Sequence, residues 1–100
     1  MRIHIQAIQF TASEQLIEFI EKKTAKLEHF YDQIIDVEVY LTLDNKSSQI
    51  KDKVVRIKVN LPRMQLVASE RSKLFETAAD LSIESVTRQL KRYKEKLRGQ

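Results

Sequence analysis

One hundred residues, 42% hydrophobic and 32% charged, suffice for one domain with one core and leave no room for two. The chain has no cysteine, one glycine and two histidines, which excludes disulfides, thiolate chemistry and glycine-rich phosphate loops, and makes a poor set for zinc. The net charge of +4 is divided unevenly: residues 1–50 carry 5 Lys/Arg against 8 Asp/Glu and residues 51–100 carry 13 against 6, a balance suited to a polyanionic partner for the second half.

In RIHIQAIQF, Ile3, Ile5 and Ala7 alternate with Arg2, His4 and Gln6, which predicts a half-buried first strand. Thr11-Ala12-Ser13-Glu14 matches a capping box, with Thr11 as the cap and Glu14 reaching back. A helix then runs to about Phe30, with Leu16, Ile20, Leu27 and Tyr31 on one stripe that Ile17, Phe19 and Phe30 widen. Ile35, Val37, Val39, Leu41 and Leu43 alternate with Asp36, Glu38, Tyr40 and Thr42, the clearest strand in the chain. Asp44 to Ser48 reads as a polar loop with a mobile tip. Val55, Ile57, Val59 and Leu61 give a third strand, ended by Pro62, which lacks the N–H that a ladder needs. A short fourth strand spans about Gln65 to Ser69. From about Ser72 the helical period returns, with Phe75, Ala79, Ile83, Val86, Leu90, Tyr93 and Leu97 on one stripe.

The fold class is therefore α+β: a single domain over residues 1–100 in the order β-α-β-β-β-α. The four-stranded mixed sheet has its first two strands parallel, and both helices lie side by side on one of its faces. No segment approaches the roughly 20 apolar residues of a membrane span, and the N-terminus lacks the apolar core of a signal peptide, so a soluble cytoplasmic protein is expected. No nucleophile elbow, metal set or cofactor fingerprint is present, so neither an enzyme nor a cofactor is expected. Asp36 and Glu38, facing Arg56 and Lys58 across two strands, are explained as cross-strand ion pairs rather than as an acid–base pair.

The chemistry resides in RQLKRYKEKLRGQ. Between Arg88 and Arg98 there are six basic residues and one acid, Glu95. Arg88 and Arg92 point away from the apolar stripe, with Lys91 and Lys96 beside them and Lys94 towards one flank. Cations in the last turn complement the helix dipole, but that effect does not reach Arg88 two turns earlier. Lys22 and Lys26 lie at the edge of the first helix's stripe. Lys23 falls nearly within it, so its methylenes must lie on apolar surface while the ammonium leaves along the groove between the helices. The eight residues Lys22, Lys23, Lys26, Arg88, Lys91, Arg92, Lys94 and Lys96 form a candidate phosphate-contacting surface without evident base readout, as suits a folded RNA. The alternative is a protein-binding regulatory module that uses the open sheet face or an edge strand.

MRIHIQAIQF-T, EFIEKKTAKLEHF, VEVYL and AAD…RQLKRYKEKL together resemble the ribosome hibernation promoting factor and ribosome-associated inhibitor family, also known as sigma-54 modulation proteins. The resemblance spans nearly the whole chain and looks like the short form. It implies a β-α-β-β-β-α domain on the small ribosomal subunit, occluding the messenger and transfer RNA sites in stationary phase or stress. The eight basic residues would then contact ribosomal RNA, with a second, ribosome-pairing factor as a further partner. The chain departs from the family where Gly followed by Arg or Lys near the end of the first strand is replaced by Ala7-Ile8. It departs again where Asp-x-Tyr-Ala-Ala opening the last helix becomes Leu74-Phe75-Glu76-Thr77-Ala78. Ile8 places an apolar side chain on the outward face, where a protein contact is the alternative use.

Overall fold

Alternating apolar residues build four strands: β1 (Arg2–Ala7), β2 (Asp36–Asp44), β3 (Asp52–Leu61) and β4 (Met64–Ser72). They are seen in a computed structural model that describes residues 1–44 and 52–99. The sheet order is β1-β2-β3-β4, with β1 parallel to β2 and the other neighbours antiparallel. The register aligns Ile3 with Val37, Val37 with Val59, and Val59 with Leu66, so every apolar set faces the same side. β4 runs longer than its alternation suggests, because its pairing with β3 continues to Lys53 and Ser72. Leu61 and Met64 close the hairpin over Pro62 and Arg63. Asp44 is the last residue of β2 rather than part of a loop, and residues 45–48 of the expected loop lie outside the described residues.

Helix α1 (Glu14–Ala25) is capped by Ser13, not Thr11. The Ser13 hydroxyl accepts from the Leu16 N–H at 3.2 Å, and its extended backbone makes the turn into the helix. Placing the cap two residues later moves Glu14 from the third helical position to the first, where its charge still favours the dipole but no reciprocal box forms. The helix tightens at its end into a 3₁₀ turn (Lys26–His29), a common way to finish an α-helix. Helix α2 (Phe75–Leu97) begins after β4 ends, and Gly99, at φ 78°, terminates it in the left-handed conformation that glycine adopts without strain.

The core lies between the helices and one face of the sheet. Ile20 and Leu27 from the α1 segment, Val86 and Leu90 from α2, and Val37, Val39, Leu41, Val55, Ile57 and Val59 from the strands are fully buried. Each such side chain contributes roughly 1.5–3 kcal/mol, which makes this set the main source of stability. Ser82 is also buried, its hydroxyl donating to the Val55 carbonyl at 2.7 Å and tying α2 to β3. Phe10 stacks on Phe75 at 5.2 Å between ring centres, joining the β1–α1 connection to the start of α2.

Three side-chain expectations are corrected. Ile35 is 51% exposed while Ile34 is buried, since residue 35 precedes the strand and the alternation begins only at Asp36. Leu97 is 58% exposed, in the last turn of α2, where the stripe has run past the core. On the open sheet face Glu38 does lie opposite Lys58, but Asp36 faces Asn60, and Arg56 faces Tyr40. Asn60 donates to both Asp36 (2.6 Å) and Glu38 (2.8 Å), so an amide rather than a pair of cations holds the two carboxylates.

Candidate nucleic-acid interface

The basic residues of α2 fall in two rows, as the helical repeat requires. Arg88, Arg92 and Lys96 follow one another at intervals of one turn, all exposed. Arg92 and Lys96 lean towards β4, where with Met64, Leu66, Gln89 and Tyr93 they line a small cleft of about 160 Å³. Lys91 and Lys94 lean the other way, towards the α1 segment. The Lys91 ammonium lies 5.1 Å from the centre of the Phe30 ring, and Lys94 lines a concavity with Glu28, His29, Phe30, Tyr31 and Asp32. The geometry is held from below by Tyr31 and Tyr93, packed edge to face with centroids 5.7 Å apart. Burial, followed by the neighbouring Tyr93 and Asp32, raises the Tyr31 pKa, so its hydroxyl stays protonated.

Lys23 from α1 and Lys26 from the 3₁₀ turn that follows it enter along the groove between the helices, about 330 Å³ in volume and walled also by Leu27, Phe30, Asp80, Ile83, Glu84 and Thr87. Lys23 leaves the apolar stripe as expected, passing 5.4 Å from the Phe19 ring centre and ending 3.5 Å from the Asp80 carboxylate. Both partners are partly exposed, at 37% and 46%, so the pair is worth no more than about 1 kcal/mol. Lys22 is exposed on α1 and does not line this groove. Lys23 and Lys26 thus line one groove, Lys91 lies over the Phe30 ring that walls it, Lys94 lines the neighbouring concavity, Arg88, Arg92 and Lys96 form a second row, and Lys22 stands apart.

The sequence pattern revealed the cations but not what lies beneath and among them. Phe19 and Phe30 count as apolar stripe residues by spacing, yet in the structure they carry the ammonium groups of Lys23 and Lys91 on their rings. Such contacts contribute about 0.5–1 kcal/mol each at exposed sites, enough to bias the side chains without fixing them. Asp80 does not register in i,i+4 spacing, because its partner Lys23 is on the other helix. Its signal was its place one turn before Glu84 on a face otherwise turned towards α1.

The family described as "Sigma 54 modulation protein / S30EA ribosomal protein" matches residues 3–98. A ribosome hibernation promoting factor of Salmonella typhimurium is 31% identical over 98 residues, covering 98% of each chain. One from Azotobacter vinelandii is 27% identical over 96 residues, or 96% of this chain and 85% of the relative. Among solved structures, a ribosomal subunit interface protein from Coxiella burnetii superposes with a TM-score of 0.84 at 24% identity, covering 95% of this chain and 99% of that one. The N-terminal domain of Thermus thermophilus Protein Y gives 0.75 at 23% identity, covering 92% and 94%. These two likenesses bear out the β-α-β-β-β-α fold, and the first pair carries it to the level of sequence. With the family match running almost end to end, the chain belongs to the Sigma 54 modulation protein / S30EA ribosomal protein family.

Proposed function

We infer that this protein is a ribosome-binding translation regulator that attaches to the small subunit through ribosomal RNA and inhibits by occupying the messenger and transfer RNA sites. The names of its relatives, ribosome hibernation promoting factors, support the general role. The observation that carries the molecular reading is the pair of basic rows on α2, continued by Lys23 and Lys26 across the interhelical groove. Charge of one sign spread over two helices, with aromatic rings beneath it, suits the phosphates of a folded RNA and releases condensed counterions on binding. Inhibition by occupancy requires no reacting group, and among the described residues no helix is long and apolar enough to cross a membrane. The cytoplasm, in stationary phase or stress, is the proposed setting.

Co-sedimentation with separated ribosomal subunits at low and high salt is the test. Comigration with the small subunit that weakens as salt rises is the expected result. Binding to the large subunit alone, or binding indifferent to salt, would overturn this reading.

A further inference from the structure

The face of the sheet opposite the helices carries a second arrangement of ring and charge. Tyr40 lies on β2 directly across from Arg56 on β3, and the Lys58 ammonium is 5.5 Å from the centre of its ring. These three, with Ile8, Val54 and Ser69 among their neighbours, line an open concavity of about 490 Å³, within the roughly 300–1,000 Å³ typical of small-ligand sites. The Tyr40 hydroxyl donates to Glu38 at 2.6 Å, and the other Glu38 oxygen accepts from Asn60, so that carboxylate is engaged and the ring is held in place. Neither Arg56 nor Lys58 comes within ion-pair distance of a carboxylate among the described residues, although Lys58 faces Glu38 across the strands and, after Tyr40 and Asn60, helps to lower its pKa, and the Asp44 carboxylate that also lines the concavity is held by Arg71 at 2.8 Å. The site therefore offers an anchored aromatic ring, an apolar floor and two cations without ion-pair partners.

We propose that this concavity binds a nucleotide of single-stranded RNA, with the base laid on the Tyr40 ring and a phosphate held by Arg56 and Lys58. A carboxylate ligand would use the two cations and leave the ring and the apolar floor idle; a nucleotide uses all of them. Duplex RNA keeps its base faces stacked internally and cannot reach the ring. Lys58, on a flexible stem, moves from the ring to the phosphate as the base arrives. Base-on-aromatic stacking flanked by cations is the general physical solution for unpaired strands. The site is on the face away from α1 and α2, so it does not depend on the ribosome-binding reading and can fail separately from it.

The test uses the whole chain carrying Arg88→Glu and Arg92→Glu, which removes the competing charge of α2. Fluorescence anisotropy with an end-labelled decauridine at low salt reads affinity, and photo-crosslinking with 4-thiouridine in that strand reads position. Binding should persist in this background and crosslink to β2 or β3. Tyr40→Ala should then weaken it roughly tenfold, while Tyr40→Phe, which keeps the ring but loses the anchoring Glu38 hydrogen bond, should lose clearly less than Tyr40→Ala. Neutralising Arg56 should also lower the salt slope by about 0.7. Ribosome co-sedimentation of Tyr40→Ala, read alongside, shows whether the helical face works by itself. Crosslinks confined to α1 and α2, or equal affinities for Tyr40→Ala and its parent, would overturn the proposal. So would a decaglutamate peptide that competes equally well, which would point to a protein ligand.

Discussion

Two side chains carry consequences that their neighbours do not. Asp80 places a negative charge within the interhelical groove, 3.5 Å from Lys23, and so opposes any phosphate approaching that lysine. Asp80→Asn should tighten small-subunit binding about two- to fivefold at low salt, with the gain fading as the Debye length shrinks, and should leave the melting temperature nearly unchanged because the pair is solvent-screened. Titrated co-sedimentation checks the first part and a thermal melt the second; weaker binding by the variant would show that Asp80 positions Lys23 rather than restraining it. Glu38 is held below the ordinary carboxylate range, first by the Tyr40 hydroxyl, next by the Asn60 amide. A carboxyl depressed in the folded state stabilises the fold at pH values above its unfolded pKa, and that contribution is lost as pH falls through the depressed value. Urea denaturation should therefore find the stability difference between wild type and Glu38→Gln constant near neutrality and moving against the wild type below the ordinary carboxylate range. A difference that does not vary with pH would mean the hydrogen bonds seen here do not control the titration.

Among the elements, the two helix starts differ in a way that stability can read. Ser13 caps α1 with its hydroxyl, whereas α2 begins at Leu74, which is extended, 60% exposed and has nothing to offer the free N–H groups. Leu74→Asp should supply the missing acceptor, adding about 1 kcal/mol and raising Tm by roughly 4–8 °C. In α1, Ser13→Ala should cost about 1 kcal/mol and Thr11→Ala almost nothing. If Leu74→Asp melts at or below the wild-type temperature, the leucine is contributing packing that its exposure conceals. These starts also mark what could be read from the chain before folding. Strict alternation located β2 and β3, because a strand buried on one face writes its period into every residue. Caps are set by single residues: Thr11 completes the box with Glu14 while Ser13 is followed three residues on by Leu16, yet Ser13 is the cap, because the backbone enters the helix there. Ile34 and Ile35 posed the same kind of ambiguity at a strand edge, where a shift of one residue inverts the face. The cations of α2 were legible because they recur at helical spacing on a side the core does not use. Asp80 and the Tyr40 concavity were not, because both join residues from different elements whose proximity exists only once the sheet and the helix pair have formed.

Over the whole molecule, the question is whether binding follows net charge or its placement. A protein of net charge +4 is drawn weakly to any polyanion, and long-range attraction alone would give salt-sensitive binding with no particular surface. The structure separates the two explanations because it puts cations on opposite faces. Arg88 and Arg92 are exposed on α2, while Arg2 and Arg71 are exposed on the open side of the sheet. Replacing either pair by glutamine removes the same two charges, and neither pair contributes to the core. If placement governs, Arg88→Gln with Arg92→Gln should weaken small-subunit binding at least tenfold and flatten the dependence of log affinity on log salt by about 1.5, from two lost phosphate contacts. Arg2→Gln with Arg71→Gln should stay within about twofold of wild type and keep its slope, since distant charges are screened beyond a Debye length of about 10 Å at 0.1 M salt. Melting temperatures of both doubles verify that the fold is intact, with a small loss acceptable for the second because Arg71 is paired to Asp44. Equal losses of affinity in the two doubles would mean that the protein is attracted by its overall charge, and the basic rows of α2 would then be a solvated helix face rather than a binding surface.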